Sequence, residues 1–149
     1  MVLISVTRLR LRSPRFLPGF VWRTWAGARQ ARRAPGFLGG YLADLNASTF
    51  WTVTAWADEA AMRRYRSGRA HGRATRLLDR CDEAAVAHPL QDRPDLPGSG
   101  VARDRLQREG RLSKLRHLSP AHMAGRTEPS GACPHRGPRF RALRSGQGV

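Results

Sequence analysis

The sequence predicts an α+β domain whose elements run strand, helix, strand, strand, helix, strand, followed by a loop-rich C-terminal extension. Three observations carry this. Apolar residues alternate from Val2 to Leu11, and Thr49–Trp56 is nearly all β-branched or aromatic. Two stretches of helical period also lie where crossovers are needed, each bounded by start and stop residues. That order is the split βαβ arrangement of ferredoxin-like folds.

The first strand spans Val2 to about Leu11. Val2, Ile4 and Val6 share one parity and Leu9 and Leu11 the other, which predicts a bulge or the strand's end. Pro14 and Pro18 mark a turn and a helix start, and the helix runs from about Pro18 to Arg33. Trp22, Trp25, Ala26 and Arg29 fall on one face of it. Pro35 and Gly36 end it. Phe37 to Ala43 is the second strand, where Gly39-Gly40 predicts a bulge or a close backbone approach. Asp44 to Ser48 carries turn chemistry, and Thr49–Trp56 is the third strand. Asp58 is suited to cap the second helix, with Glu59 favourable to its dipole and Met62 and Tyr65 apolar at i, i+3. Ser67-Gly68 breaks it. Helix resumes over Ala70 to Arg80, carrying Cys81 at its end, and Ala84 to His88 is the last strand, stopped by Pro89.

In the third strand Phe50, Thr52, Thr54 and Trp56 face one way, and Trp51, Val53 and Ala55 the other. Both faces therefore call for cover. Two helices cover one; a second copy of the sheet, stacked about 10 Å away, is expected on the other. Residues 1–90 are thus read as the domain, and 91–149 as a basic, Pro/Gly-rich extension. Val101 to Arg111 is a short charged helix within it. After about residue 124 the chain has too few apolar residues to offset its ordering entropy, and disorder is expected.

The 149 residues carry 27 basic and 11 acidic side chains, a net charge of +16. Lys114 is the sole lysine, and Ala, Gly and Pro are abundant. That bias matches coding from a GC-rich genome, so the charge is read as a solvated Arg-rich surface, and nucleic acid is not the expected partner. No apolar run approaches the roughly 20 residues of a spanning helix, so no membrane partner is expected either. No acidic residue precedes Asp44, but the strand-like start departs from a transit peptide, and Val2 to Val6 is too short for a secretory signal. A cytoplasmic protein is expected, with Cys81 and Cys133 as reduced thiols.

No P-loop, dinucleotide fingerprint, zinc-protease helix or nucleophile elbow occurs. His71, beside the Ser67-Gly68 break, is the candidate acid, base or hydrogen-bond donor; the alternative is a partly exposed histidine at a helix restart. Trp22, Trp25 and Arg29 are read as one wall of a pocket for a planar ligand, against the alternative that the tryptophans are core. Trp51 and Tyr65 complete the candidate pocket set. His117, His122, Cys133 and His135 fit no standard zinc spacing, and no metal or other cofactor is expected. Arg111, Ser113, Lys114 and Arg116 form a basic cluster read as a solvated charge run.

The runs Ala34-Pro-Gly-Phe-Leu-Gly-Gly, Phe50-Trp-Thr-Val-Thr-Ala-Trp, Asp58-Glu-Ala-Ala-Met-Arg-Arg-Tyr and Gly68-Arg-Ala-His71 together resemble the antibiotic-biosynthesis-monooxygenase group and its uncharacterised bacterial relatives, over about residues 2–88. The resemblance implies a ferredoxin-like unit that pairs through its sheets into a dimeric α+β barrel, with a small-molecule pocket between sheet and helices. It implies cofactor-independent oxygenation of a small aromatic or polyketide-like molecule, with His71 at the family's helix-two histidine and Trp22, Trp25 and Arg29 on its helix-one face. Pro89 departs from the family, whose members more often continue with an aromatic residue. The competing expectations are a non-catalytic ligand- or partner-binding dimer of the same fold, and a basic nucleic-acid-binding protein.

Overall fold

The computed structural model describes residues 1–46, 49–68, 76–126 and 135–141, with side chains throughout except at 44–46 and 135–138. Its strands and helices are β1 (Val2–Leu11), α1 (Leu17–Arg33), β2 (Phe37–Asn46), β3 (Thr49–Trp56), α2 (Glu59–Ser67), β4 (Cys81–Ala87), β5 (Leu90–Gln91), α3 (Ser99–Glu109), β6 (Arg111–Leu112), α4 (Pro120–Met123) and β7 (His135–Arg141). The sheet is antiparallel in the order β6-β4-β1-β3-β2-β7, with β5 also on β1. Its centre, β4-β1-β3-β2, is the ferredoxin-like arrangement predicted from the element order.

Local chemistry sets the helix ends. Pro18 sits in the first turn of α1, where its missing N–H goes unneeded. Gly36 follows at φ +84°, a conformation that only glycine adopts cheaply, and a Cβ there would lie 2.5 Å from Ala61 Cβ. Asp58 caps α2 by accepting from the Ala61 N–H at 2.7 Å. In β2 the backbone comes close to β3 at Gly40, where a Cβ would stand 2.8 Å from the Val53 carbonyl oxygen.

The bulge lies in β4 rather than β1. Arg10 pairs with Glu83 and Leu11 with Cys81, so Asp82 is the extra residue. β1 keeps its alternation throughout: Ser5, Thr7 and Leu9 face the helices, while Ile4, Val6 and Arg8 face away. Cys81 is therefore a buried strand residue beside Leu11 and Phe20, not the end of a helix; helix covers 76–78 and β4 begins three residues earlier than expected.

The face away from α1 and α2 is covered by the chain itself. Ile4, Val6, Tyr41, Trp51, Val53 and Ala55 form one apolar cluster with Ala102 and Leu106 of α3, and Leu96 packs against it. The Tyr41 hydroxyl donates to the Pro97 carbonyl at 2.7 Å. Both faces do need cover, and on this face α3 and the segment before it supply cover from within the chain. Leu96, Ala102, Leu106 and Leu112 thus pack into or against the domain's core. Among the described residues after 124, His135–Arg141 pairs with β2 at the sheet edge. Among the described residues, no helix is long and apolar enough to cross a membrane.

Candidate functional site

Strand register builds the floor of a cavity. Ser5 stands opposite Thr54, and Thr7 opposite Thr52, so two cross-strand pairs of hydroxyls lie side by side on the helix-facing surface. α1 and α2 bridge this surface without filling it. The positions of α1 turned inward are Phe20, Thr24, Gly27, Ala28 and Ala31, mostly small, and the space left beneath them is about 350 Å³. That is within the range of small-molecule sites.

Aromatic side chains make one wall. Trp56 packs edge-on to Phe37, with ring centroids 5.2 Å apart, and against Tyr65 at 5.0 Å. Its indole Nε1–H donates to Thr54 Oγ1 at 3.0 Å, which fixes the ring over the hydroxyl floor. The Tyr65 hydroxyl donates to the Gly27 carbonyl at 3.1 Å and ties α2 to α1. Burial raises the Tyr65 pKa, so it stays a neutral donor.

His88, just past β4, sits half-buried at the cavity's rim. Burial first, then the Arg66 guanidinium, push its pKa below the ordinary value; Glu59 opposes this and Arg111 adds to it. Beyond His88 a second cavity of about 600 Å³ opens between α2, the end of β4 and β6. The two share Met62, Arg66, Val86 and His88, so the apolar chamber leads into an arginine-bearing vestibule.

Of the residues picked from sequence, the structure brings Tyr65 to the cavity and places four others elsewhere. Trp22 and Trp25 lie on the outer surface of α1, 67% and 49% exposed, with their rings 5.7 Å apart. Arg29 lies over the Trp25 ring at 4.8 Å, its charge turned to solvent. Trp51 is buried on the opposite face of the sheet, as its strand parity demands. These four do not line the chamber. His71 lies outside the described residues. Sequence reading missed His88, whose signal was its place two residues beyond Val86 on the same strand parity. Among the described residues, no group of three His, Cys, Asp or Glu side chains could hold a metal. His122 instead is buried with Nε2 2.9 Å from the Ser113 carbonyl.

No family model matches the sequence, and no curated protein does. Solved structures do match in shape. The protein PA3566 from Pseudomonas aeruginosa superposes with a TM-score of 0.55 at 16% identity, over 62% of this chain and 95% of its own. A structure described as an antibiotic biosynthesis monooxygenase gives 0.54 at 15% identity, over 61% and 99%. A variant of SnoaB, a cofactor-independent oxygenase from Streptomyces nogalater, gives 0.50 at 22%, over 64% and 97%. The chain therefore has the α+β fold of the antibiotic-biosynthesis-monooxygenase-like proteins. At these identities the likeness is one of fold.

Proposed function

We propose that this protein is a cytoplasmic, cofactor-independent monooxygenase-like enzyme acting on a small aromatic or polyketide-like molecule in the chamber between sheet and helices. The observation that supports this best is the chamber itself, with an aromatic wall at Trp56 and Tyr65 above a floor of paired hydroxyls. Such a site orients a planar ring and strips it of water while offering hydrogen bonds to its oxygens. Oxygenation without a cofactor requires a substrate anion that itself reacts with O₂, and so a proton acceptor. His71 is our proposal for that acceptor.

Oxygen uptake tests this directly. Hydroxylated polycyclic ketones are added to the protein under air, with an oxygen electrode and Trp56 fluorescence read together. Ligand-dependent uptake that falls by about 10²–10⁴ in His71→Ala supports both the activity and the role. Turnover unchanged within about twofold removes His71 from the mechanism. Quenching of Trp56 with no oxygen uptake for any bound compound replaces the enzyme by a ligand-binding protein of the same fold. Retention on DNA or RNA that falls steeply between about 50 and 200 mM salt, with no small-molecule binding, replaces both.

A further inference from the structure

The vestibule beyond His88 has a chemistry different from the chamber it adjoins. β6 pairs with β4 so that Arg111 lies directly opposite Val86, beside the strand position that leads to His88. Arg66 comes from the last turn of α2 and lines both cavities. The other charged groups here are Glu59 and Arg63 of α2 and Glu109 at the end of α3. Glu59 is engaged by Arg63 at 2.6 Å. Among the described residues, neither Arg66 nor Arg111 has a carboxylate within ion-pair distance. His88 makes no side-chain hydrogen bond among the described residues, so its ring nitrogens are open to a ligand.

Two guanidiniums with no carboxylate partner among the described residues, and an imidazole with no side-chain hydrogen bond among them, thus line the place where an apolar chamber meets water. We propose that the ligand is an amphiphilic anion, with an apolar aromatic body in the chamber and a carboxylate-like group at the rim, held by Arg66 and Arg111 with His88 as a hydrogen-bond donor. Guanidinium is suited to that group, since its planar fork meets both carboxylate oxygens. Neutral His88 carries one ring N–H that can be donated to the same anion. Burial is the first cause of the lowered His88 pKa, and the Arg66 and Arg111 charges that add to it are the ones the ligand's head group would neutralise. This inference rests on the chamber being a ligand site, as proposed above, and adds which class of molecule enters it.

The test compares naphthoate with naphthamide, matched in ring and size and differing in charge, by calorimetry and by Trp56 fluorescence on the full chain. Naphthoate is expected to bind about tenfold more tightly at neutral pH. Arg66→Gln with Arg111→Gln should bring the two to within about twofold of each other by weakening naphthoate alone. Arg29→Gln, on the outer face of α1, should change neither, which separates the site from the diffuse charge of a basic protein. As pH falls through the depressed His88 pKa, the imidazolium forms and naphthoate affinity should rise while that of naphthamide stays flat. Equal affinity of the two probes in the unaltered protein overturns the proposal while leaving the chamber a ligand site. A preference for naphthoate that survives the double substitution also overturns it. Binding of neither probe overturns it together with the reading it rests on.

Discussion

Arg8 and Glu83 meet across β1 and β4 with Nη1 2.6 Å from Oε2, on the sheet face turned away from the cavity, and both are buried. Glu83 also accepts from Ser119 Oγ at 2.8 Å and from Arg10 Nη1 at 3.2 Å, so three side chains from two segments converge on one carboxylate. A buried charge that loses its partner is costly. Glu83→Ala should lower stability by about 3–5 kcal/mol, read as a shift in denaturant midpoint at unchanged slope. A loss below about 1 kcal/mol would mean that water reaches Arg8 once the carboxylate is gone.

Trp22→Ala and Trp25→Ala test the outward placement of those side chains. Each should change stability by no more than about 0.5 kcal/mol and leave affinity for a chamber ligand unaltered. Trp56→Ala should instead abolish ligand-dependent fluorescence and cost about 3–5 kcal/mol, as large-to-small changes in cores do. Loss of binding on changing Trp22 or Trp25 would return the site to the outer face of α1.

The depressed pKa of His88 makes stability depend on pH with a definite sign. The folded chain holds its proton less tightly than the unfolded chain, whose histidine titrates near 6.5. Below that value the unfolded state binds more protons, so stability present at neutral pH is lost as pH falls through the folded-state pKa. His88→Gln should flatten that part of the curve, measured as urea midpoint against pH. An unchanged profile would show that other groups carry the acid sensitivity.

Burial, aided by the Asp82 charge, pushes the Cys81 thiol up to about 12. Its Sγ–H points at the Leu77 carbonyl, 3.5 Å away. In a Cys133→Ser background the native protein should resist iodoacetamide at mildly alkaline pH, with alkylation following global unfolding. Labelling at the rate of a free thiol would require local opening of β4 from β1.

Much of the fold was written in local chemistry. The span of β1, the end of α1 at Arg33, all of β3 and the Asp58 cap follow from residues within a few positions of one another. Three features were not legible. The inward face of α1 is not the one that bears Trp22 and Trp25, which the sequence reading makes a pocket wall. A helix roofing a cavity turns Gly27, Ala28 and Thr24 inward, and leaves its tryptophans outside. Cys81 was placed on a helix because the Asp82 bulge, which lets β4 begin earlier, depends on pairing with a strand about 70 residues away in sequence. Strand parity separates Trp51 from Trp56, so its place in the pocket set does not hold, and its cover by α3 is not visible in local sequence. That depends on Ala102 and Leu106, whose packing partners lie in β1 to β4.

Leu106 makes that cover measurable. It is 6% exposed, and Leu106→Ala should cost about 2–5 kcal/mol. A loss under about 0.5 kcal/mol would place α3 at the surface rather than over the sheet.

The position of α3 in the chain also bears on how the protein is made. The four central strands are complete at Ala87, whereas the helix that shields their outer face starts at Ser99 and ends at Glu109. At about 5–20 residues per second, a ribosome releases the sheet on the order of seconds before its shield. During that interval Ile4, Val6, Tyr41, Trp51 and Val53 are bare to every neighbouring nascent chain. A chain halted near residue 90 would hold the whole ferredoxin-like unit and still be the species most prone to clump, and a chaperone that binds nascent chains would find its target in that window.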